Sequence, residues 1–348
     1  MSHTYAVAMS GGVDSSAVAA LLLAEKNDVV GLTMDIHENC MEDIENAERV
    51  CKVLGIEHHV VNVRKEYKAK VIDVFASYYA NGLTPNPCVL CNRDIKFDLL
   101  MRAAKANGAE KLATGHYVSM TVDGDVVRMR EAKNQKKDQT YFLSLVLRAN
   151  LKDALFPLGS IQDKEETRKL AQSLGLPNFA QQESQDVCFI PGGNYKTFLK
   201  DLYGGMNLFA PGNIKAIETG AIVGQHNGIA NYTVGQRRGI GVTSKDPLYV
   251  TSIDPKNNEI VVGSAGSLKV ANFKAVDVNW IVDMPEQFEA FIKQRSLCTK
   301  TPAVICKLDD NTIDVRLIGE SATPIASGQI CAMYDGDGIV IGGGIIKR

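Results

Sequence analysis

Between Ala8 and Leu23 the chain reads AMSGGVDSSAVAALLL, and this stretch limits the fold more than any other. A β-prone run, TYAVAM, ends at Met9 and is followed by two glycines and a helix-forming segment. Glycine lets a backbone bend sharply and approach a ligand closely. Ser10, Ser15 and Ser16 add hydroxyls where the helix opens, and its first amides face the same space, so a strand–turn–helix of this kind suits a pyrophosphate. The lysine of a Walker-type loop is absent, which sets the segment apart from ordinary phosphate-transfer loops. A plain glycine-rich turn with a Ser/Asp cap is the structural alternative, but the whole Ser-Gly-Gly-x-Asp-Ser string favours an anion site.

The alternation continues to about residue 203. Short apolar runs (DVVGLTM, HHVVNV) exchange with helical periodicities (DIENAERVCKVLG), the pattern of a parallel sheet with crossover helices. One hairpin is expected in VSMTVDGDVVRMR, turning at Asp123-Gly124. Beyond NYKTFLKDLYGG, short strands are punctuated by Pro211-Gly212, Asn227-Gly228, Asp254-Pro255 and the DGDG at 335–338, as in small β domains. The expected class is α/β: a parallel-sheet nucleotide-binding domain at 1–203, then two small, mainly β domains at 204–268 and 269–348. A chain of 348 residues has room for all three.

With net charge −2 the chain is no indiscriminate polyanion binder, although local basic patches remain open to it. No apolar run reaches membrane-spanning length and the N-terminus lacks a secretory pattern, so a cytoplasmic, reducing setting is expected. There the eight cysteines are free, metal-bound or catalytic rather than paired. Cys88 and Cys91 in TPNPCVLCNRDIKF are the closest pair, and the spacing suits two metal ligands or a nucleophile with a helper equally well. Cys188, in QQESQDVCFIPGG, reads as either a core cysteine or an exposed loop thiol. Cys298, Cys306 and Cys331 are expected to pack in strands.

The Ser10–Ser16 string resembles that of the PP-loop pyrophosphatases, which adenylate an oxygen of their substrate; a sulfur nucleophile can then displace the adenylate. TPNPCVLCNRDIKF, ATGHYV, KKDQTYFL, LFPLG, SQDVCFI and NYTVGQRRGIG occur in the order and approximate spacing of the tRNA-specific 2-thiouridylases, a resemblance that covers essentially the whole chain. It implies a catalytic nucleotide-binding domain, a tRNA-binding central domain and a tRNA-binding C-terminal β-barrel. The activity implied is ATP- and Mg2+-dependent 2-thiolation of the wobble uridine in tRNAs of the lysine, glutamate and glutamine types, with sulfur supplied by a donor protein or sulfide.

Carried onto this chain, the family pattern makes Cys188 the persulfide carrier and Cys91 the second catalytic thiol. It matches Ala8, Met9, Ser10, Gly11, Gly12, Val13, Asp14, Ser15, Met34 and Gly115 to ATP contacts. Asn86, Pro87, Cys88, His116, Lys137, Asp138, Gln139, Arg295, Ser296 and Gln329 fall at tRNA-contacting positions. Two departures stand out: Cys88 replaces the family's usual aspartate, and Ser296 replaces an aromatic after Arg295. The extra thiol opens a second arrangement in which Cys88, Cys91 and Cys188 hold a 4Fe-4S cluster with one iron free for sulfide. Lys133, Lys136 and Lys137, and separately Arg237 and Arg238, form local basic patches suited to phosphates. Two other classes of function compete: an adenylating ligase acting on a small molecule, and a non-catalytic nucleotide-dependent RNA-binding or redox-sensing protein.

Overall fold

The structure is a computed structural model and describes residues 3–178, 187–204, 207–320 and 324–348. Five strands, β1 (Thr4–Ala8), β2 (Asp28–Asp35), β3 (Glu57–Asn62), β4 (Lys111–Ala113) and, after the hairpin β5 (Val118–Asp123) and β6 (Val126–Glu131), β7 (Ala154–Leu155), include the whole first sheet. That sheet is parallel and ordered β3-β2-β1-β4-β7. Helices cover both faces, so β1 and β2 carry continuous apolar runs rather than alternation, with Ala6, Val7 and Leu32 fully buried. Helix α1 (Val13–Ala24) is buried almost all round because it is sandwiched. Helix α2 (Met41–Leu54) buries only Ile44, Ala47, Val50 and Cys51. In this strand order the chain reverses direction across the sheet between β1 and β4. The loops after those two strands therefore lie side by side at the C-terminal edge, the usual position for a ligand in such sheets.

The hairpin turns one residue later than the Asp-Gly signal suggests: Asp123 still pairs with Val126, leaving Gly124 and Asp125 as the loop. Gly124 has φ +55° and occupies the first central position, where the favoured tight hairpin turn needs glycine. Two helical stretches carry π-helical segments, Lys68–Ile72 and Asn92–Leu100. Such segments gather at functional sites, and here one begins immediately after Cys91.

The second sheet contains β8 (Gly212–Ala216), β9 (Ile222–His226), β10 (Tyr249–Asp254) and β11 (Glu259–Gly263), ordered β10-β11-β8-β9. The last six strands, β12 (Asn272–Trp280), β13 (Gln287–Lys293), β14 (Thr301–Asp309), β15 (Thr312–Leu317), β16 (Ile330–Tyr334) and β17 (Val340–Lys347), close into a barrel, which leaves no open sheet edge. Cys331 packs inside this barrel and Cys306 lies on β14. Cys298 departs from the strand expectation: it sits in the loop after β13, where its thiol donates to the Gln294 side chain and the Arg295 carbonyl.

The barrel is not a tethered appendage. Ile281, Ile330, Ala332, Tyr334 and Val340 share one hydrophobic core with Phe97, Leu112, Val127 and Tyr141 of the first domain. Polar groups lock the seam. Lys293 and Lys300 of the barrel reach Glu131 at 3.3 and 2.7 Å, and Asn279 Nδ2 donates to the carbonyls of Ser144 (3.1 Å) and Val146 (2.9 Å). Replacing Asn279 with alanine leaves two partly buried carbonyls without that donor. The expected loss is about 1–3 kcal/mol, read as a lower urea midpoint for the intact chain.

Candidate active site

The loop from Met9 to Gly12 leaves β1 and enters α1 at the C-terminal edge of the sheet. Gly11 has φ +75°, and a Cβ there would stand 2.7 Å from the Asp43 carbonyl oxygen, so position and conformation both demand glycine. The loop's carbonyls are tied down from within. Asn178 Nδ2 donates to the Gly11 carbonyl (2.6 Å) and to Ser16 Oγ (2.9 Å), while the Ser15 and Ser16 hydroxyls each donate to the Gly12 carbonyl at 3.0 Å. No side chain caps α1, so its first amides keep their capacity to bind an anion. Gly115, beyond β4, backs this turn; a Cβ on it would come within 3.0 Å of Asp14 Cβ and the Ser15 nitrogen. Ala8, Met9, Ser10, Gly12 and Val13 complete the loop, and Met34 lies near the end of the neighbouring strand β2.

Asp14 is held by the Tyr117 hydroxyl (2.9 Å) and by Lys164 Nζ (3.1 Å). Lys164 thus brings a largely buried cation to a loop whose own sequence has none. Sequence reasoning missed it because it is 150 residues away within the run QDKEETRK, which reads as a solvated helix start. Asn178 was missed for the same reason of distance.

Thiols gather beside the same edge. Pro87 starts the short helix Pro87–Cys91, capped by the Asn86 side chain accepting from the Val89 amide at 3.3 Å. Cys91 is 8% exposed; burial pushes its thiol up to about 12, with Lys96 opposing the rise and Cys188, Cys88 and Asp94 adding to it. Cys88 is exposed by surface area, yet the protein crowds its sulfur enough to raise that thiol as well, with Cys188 contributing. Surface area decides access, so Cys88 is reachable. Cys188 is exposed. Its sulfur lies 3.2 Å from the Tyr67 hydroxyl and its carbonyl 3.4 Å from His37 Nε2, just past β2. The polar run before it, residues 181–186, lies outside the described residues. Tyr67 was hidden in RKEYKAK, which looks like a charged surface; only the helical spacing Val63, Tyr67, Val71, all buried, betrays its inward face. Among the described residues no group of three or more His, Cys, Asp or Glu side chains is arranged to hold a metal ion.

Three family models match in succession: a tRNA methyl transferase HUP domain over residues 3–192, a tRNA methyl transferase PRC-barrel domain over 196–264, and an aminomethyltransferase β-barrel domain over 270–346. The tRNA-specific 2-thiouridylase MnmA of Rickettsia conorii is 41% identical over 359 residues, covering 99% of this chain and 95% of that protein. The chain belongs to the tRNA-specific 2-thiouridylase family. The Rickettsia felis 2-thiouridylase is 40% identical, with 99% of this chain and 97% of that protein covered. Among solved structures, a U34-tRNA thiolase from Methanococcus maripaludis with its [4Fe-4S] cluster aligns with TM-score 0.36 and 19% identity, over 58% of this chain and 66% of that one.

The residues expected from the resemblance to contact tRNA are not all free for RNA. Gln329 is 9% exposed, donating to the Thr84 and Pro85 carbonyls and facing the Tyr141 hydroxyl. Asp138 accepts from the Thr140 hydroxyl at 2.7 Å and from the Ala132 amide. Gln139 accepts from the Tyr117 amide at 2.9 Å. His116 packs against Phe97 and Phe156 with its Nδ1 2.8 Å from the Thr114 hydroxyl; burial, then Lys96, drives its pKa well below the usual imidazole value, so it is neutral at pH 7. Lys137 is partly exposed in the loop after β6. Arg295 donates to the Val234 carbonyl at 3.4 Å. Ser296 follows it, half-buried, beside the fully presented side chain of Leu297, 94% exposed.

These thiol environments predict a reactivity order. At pH 7 iodoacetamide is expected to label Cys188 roughly tenfold or more faster than Cys91, since the thiolate is the nucleophile and Cys91 is both buried and protonated. The gap should narrow as alkaline pH raises the thiolate fraction of Cys91. Site-resolved mass spectrometry checks both points.

Proposed function

We propose that this chain is an ATP-dependent tRNA uridine 2-sulfurtransferase acting on the wobble base, working in the cytoplasm. The observation that carries the proposal is the meeting, at one edge of one sheet, of an uncapped helix start behind a Ser-Gly-Gly loop and a cluster of three thiols. The matched family descriptions name methyl transfer and the relatives name thiolation; an anion cradle next to thiols fits the second chemistry.

The loop and the first amides of α1 would receive the ATP phosphates, with Met34 and Gly115 flanking the nucleotide and Lys164 stabilising negative charge from behind Asp14. Mg2+, which neutralises phosphate charge when bound, has Asp14 as the carboxylate at this loop. The C2 oxygen of uridine attacks the α-phosphate and pyrophosphate leaves. The base must be extruded from the anticodon stack for C2 to reach the pocket. A Cys188 persulfide then attacks C2 with its outer sulfur and AMP departs with the oxygen. Attack of the Cys91 thiolate on the Cys188 sulfur breaks that S–S bond, releases the 2-thiouridine, and leaves a Cys91–Cys188 disulfide for an external thiol to reduce. Lys137 and its lysine neighbours, with Arg295, offer charge to the RNA backbone. Gln329, Asp138 and Gln139 serve the tRNA by holding the barrel and the 133–139 loop in place. Lysine, glutamate and glutamine tRNAs are the expected substrates, and a persulfide-bearing protein or sulfide the sulfur source.

A cluster on Cys88, Cys91 and Cys188 is the competing arrangement. The three thiols influence one another electrostatically, but they are not disposed as ligands, and no step above passes through iron.

Cys91→Ser and Cys188→Ser should each abolish thiolation while tRNA-dependent pyrophosphate release continues near the wild-type rate. Thiolated tRNA from either variant would reject the roles, and loss of pyrophosphate release in both would reject the order of steps. Protein purified anaerobically, chelated and gel-filtered is expected to keep full activity, and Cys88→Ala much of it. Activity that disappears with the iron and returns on reconstitution would favour the cluster.

A further inference from the structure

Tyr67 belongs to a helical stretch that no motif points to, and it is 1% exposed. Its ring packs edge-on against Phe189 at 6.0 Å between centroids, inside a cluster that also holds Phe75, Cys91 and Ile95. Its hydroxyl lies 3.2 Å from Cys188 Sγ, within reach for a bond to sulfur. The hydroxyl is the polar tip of an otherwise apolar wall, and a buried tyrosine O–H normally has a partner. Here that partner is Cys188, an exposed cysteine of the cluster.

We propose that the Tyr67 hydroxyl is a catalytic hydrogen-bond donor to the Cys188 sulfur, stabilising the negative charge that this atom carries while it accepts a sulfur atom. The inference rests on Cys188 being the sulfur acceptor. In that step the Cys188 sulfur, as thiolate, attacks the outer sulfur of a donor persulfide. The donor's S–S bond breaks, the donor leaves as a thiolate, and the new S–S bond on Cys188 retains the transferred sulfur, so no electrons enter or leave. An anionic sulfur has no proton to give, so the hydroxyl must be the donor, and hydrogen bonds to an ionised acceptor are among the stronger ones. The groups around the pair are Cys88 and Cys91, with Lys96 behind them, and His37 on the Cys188 carbonyl. Burial and the three neighbouring thiols all oppose ionisation of Tyr67, which keeps the proton on its oxygen. The ring contact with Phe189 holds the donor and the Cys188 backbone in one geometry, so the bond is built before the sulfur arrives.

Tyr67→Phe removes the oxygen and keeps the ring. Sulfur loading is followed anaerobically on the full-length protein with a small alkyl persulfide, as the mass gain of one sulfur on the Cys188 peptide, and single-turnover thiolation is measured on unmodified tRNA. Loading and thiolation are each expected to slow about tenfold, the scale of one charge-assisted hydrogen bond, with the thermal midpoint and pyrophosphate release unchanged. Loading at the wild-type rate overturns the assignment, as does slow loading accompanied by a lower midpoint and lost pyrophosphate release, which would mark Tyr67 as structural. Cys188→Ser, run in parallel, separates this result from failure of the underlying reading: if that variant still thiolates tRNA, Cys188 is not the acceptor, whatever Tyr67 does.

Discussion

At φ +75° Gly11 turns the backbone from β1 into α1 beneath the Asp43 carbonyl, in a space where any Cβ would stand 2.7 Å from that oxygen. The chemical arrangement depends on this bend. It brings an uncapped helix start to the C-terminal edge of a parallel sheet, beside the loop that follows β4. Asn178 and the two serines hold the loop carbonyls inward, which leaves amides, not carbonyls, to meet an anion. Gly115 lets the second loop close against the first turn. The loop has no lysine of its own, and Lys164, from far along the chain, brings a cation to it by pairing with Asp14.

The thiol cluster is arranged around access. Cys91 is buried and protonated near neutral pH, whereas Cys188 is exposed and anchored through Tyr67 and His37. An exposed thiol is open to reagents from solvent, and a buried one is shielded from them. The π-helical segment that starts after Cys91 changes the helical repeat there, with Ile95 and Phe97 fully buried and Asn92 nearly so. Asn92 donates to the Phe142 carbonyl at 3.0 Å, linking the cysteine helix to the segment that docks the barrel.

The barrel and the catalytic domain share a core, and a buried ion cluster of Glu131, Asp138 and Lys293 lies across their seam. Charges withdrawn from water recover their solvation only when partners are well placed, so this cluster favours one docked arrangement over sliding alternatives. No helix among the described residues is long and apolar enough to cross a membrane.

Much of this was legible in the sequence because local rules suffice for it. Strand–glycine–helix order marks the anion loop, alternating periodicities mark the parallel sheet, and short punctuated strands mark the β domains. Motif order along the chain marks the family. The hairpin turn was read one residue early, since an Asp-Gly pair signals a turn but cross-strand pairing sets its register. What only the tertiary structure decided concerns partners far apart in the chain. Tyr67 meets Cys188, Lys164 meets Asp14, and Gln329 meets Thr84 and Pro85, across separations that no spacing rule records. Nor does sequence reveal which of the polar residues expected to contact RNA face outward. Asp138 and Gln329 look like surface residues in sequence and are largely committed to internal hydrogen bonds, because a buried polar group must find a partner inside the protein. Burial and hydrogen bonding are properties of the packed chain, and they separate outward-facing polar residues from those committed to partners inside the protein.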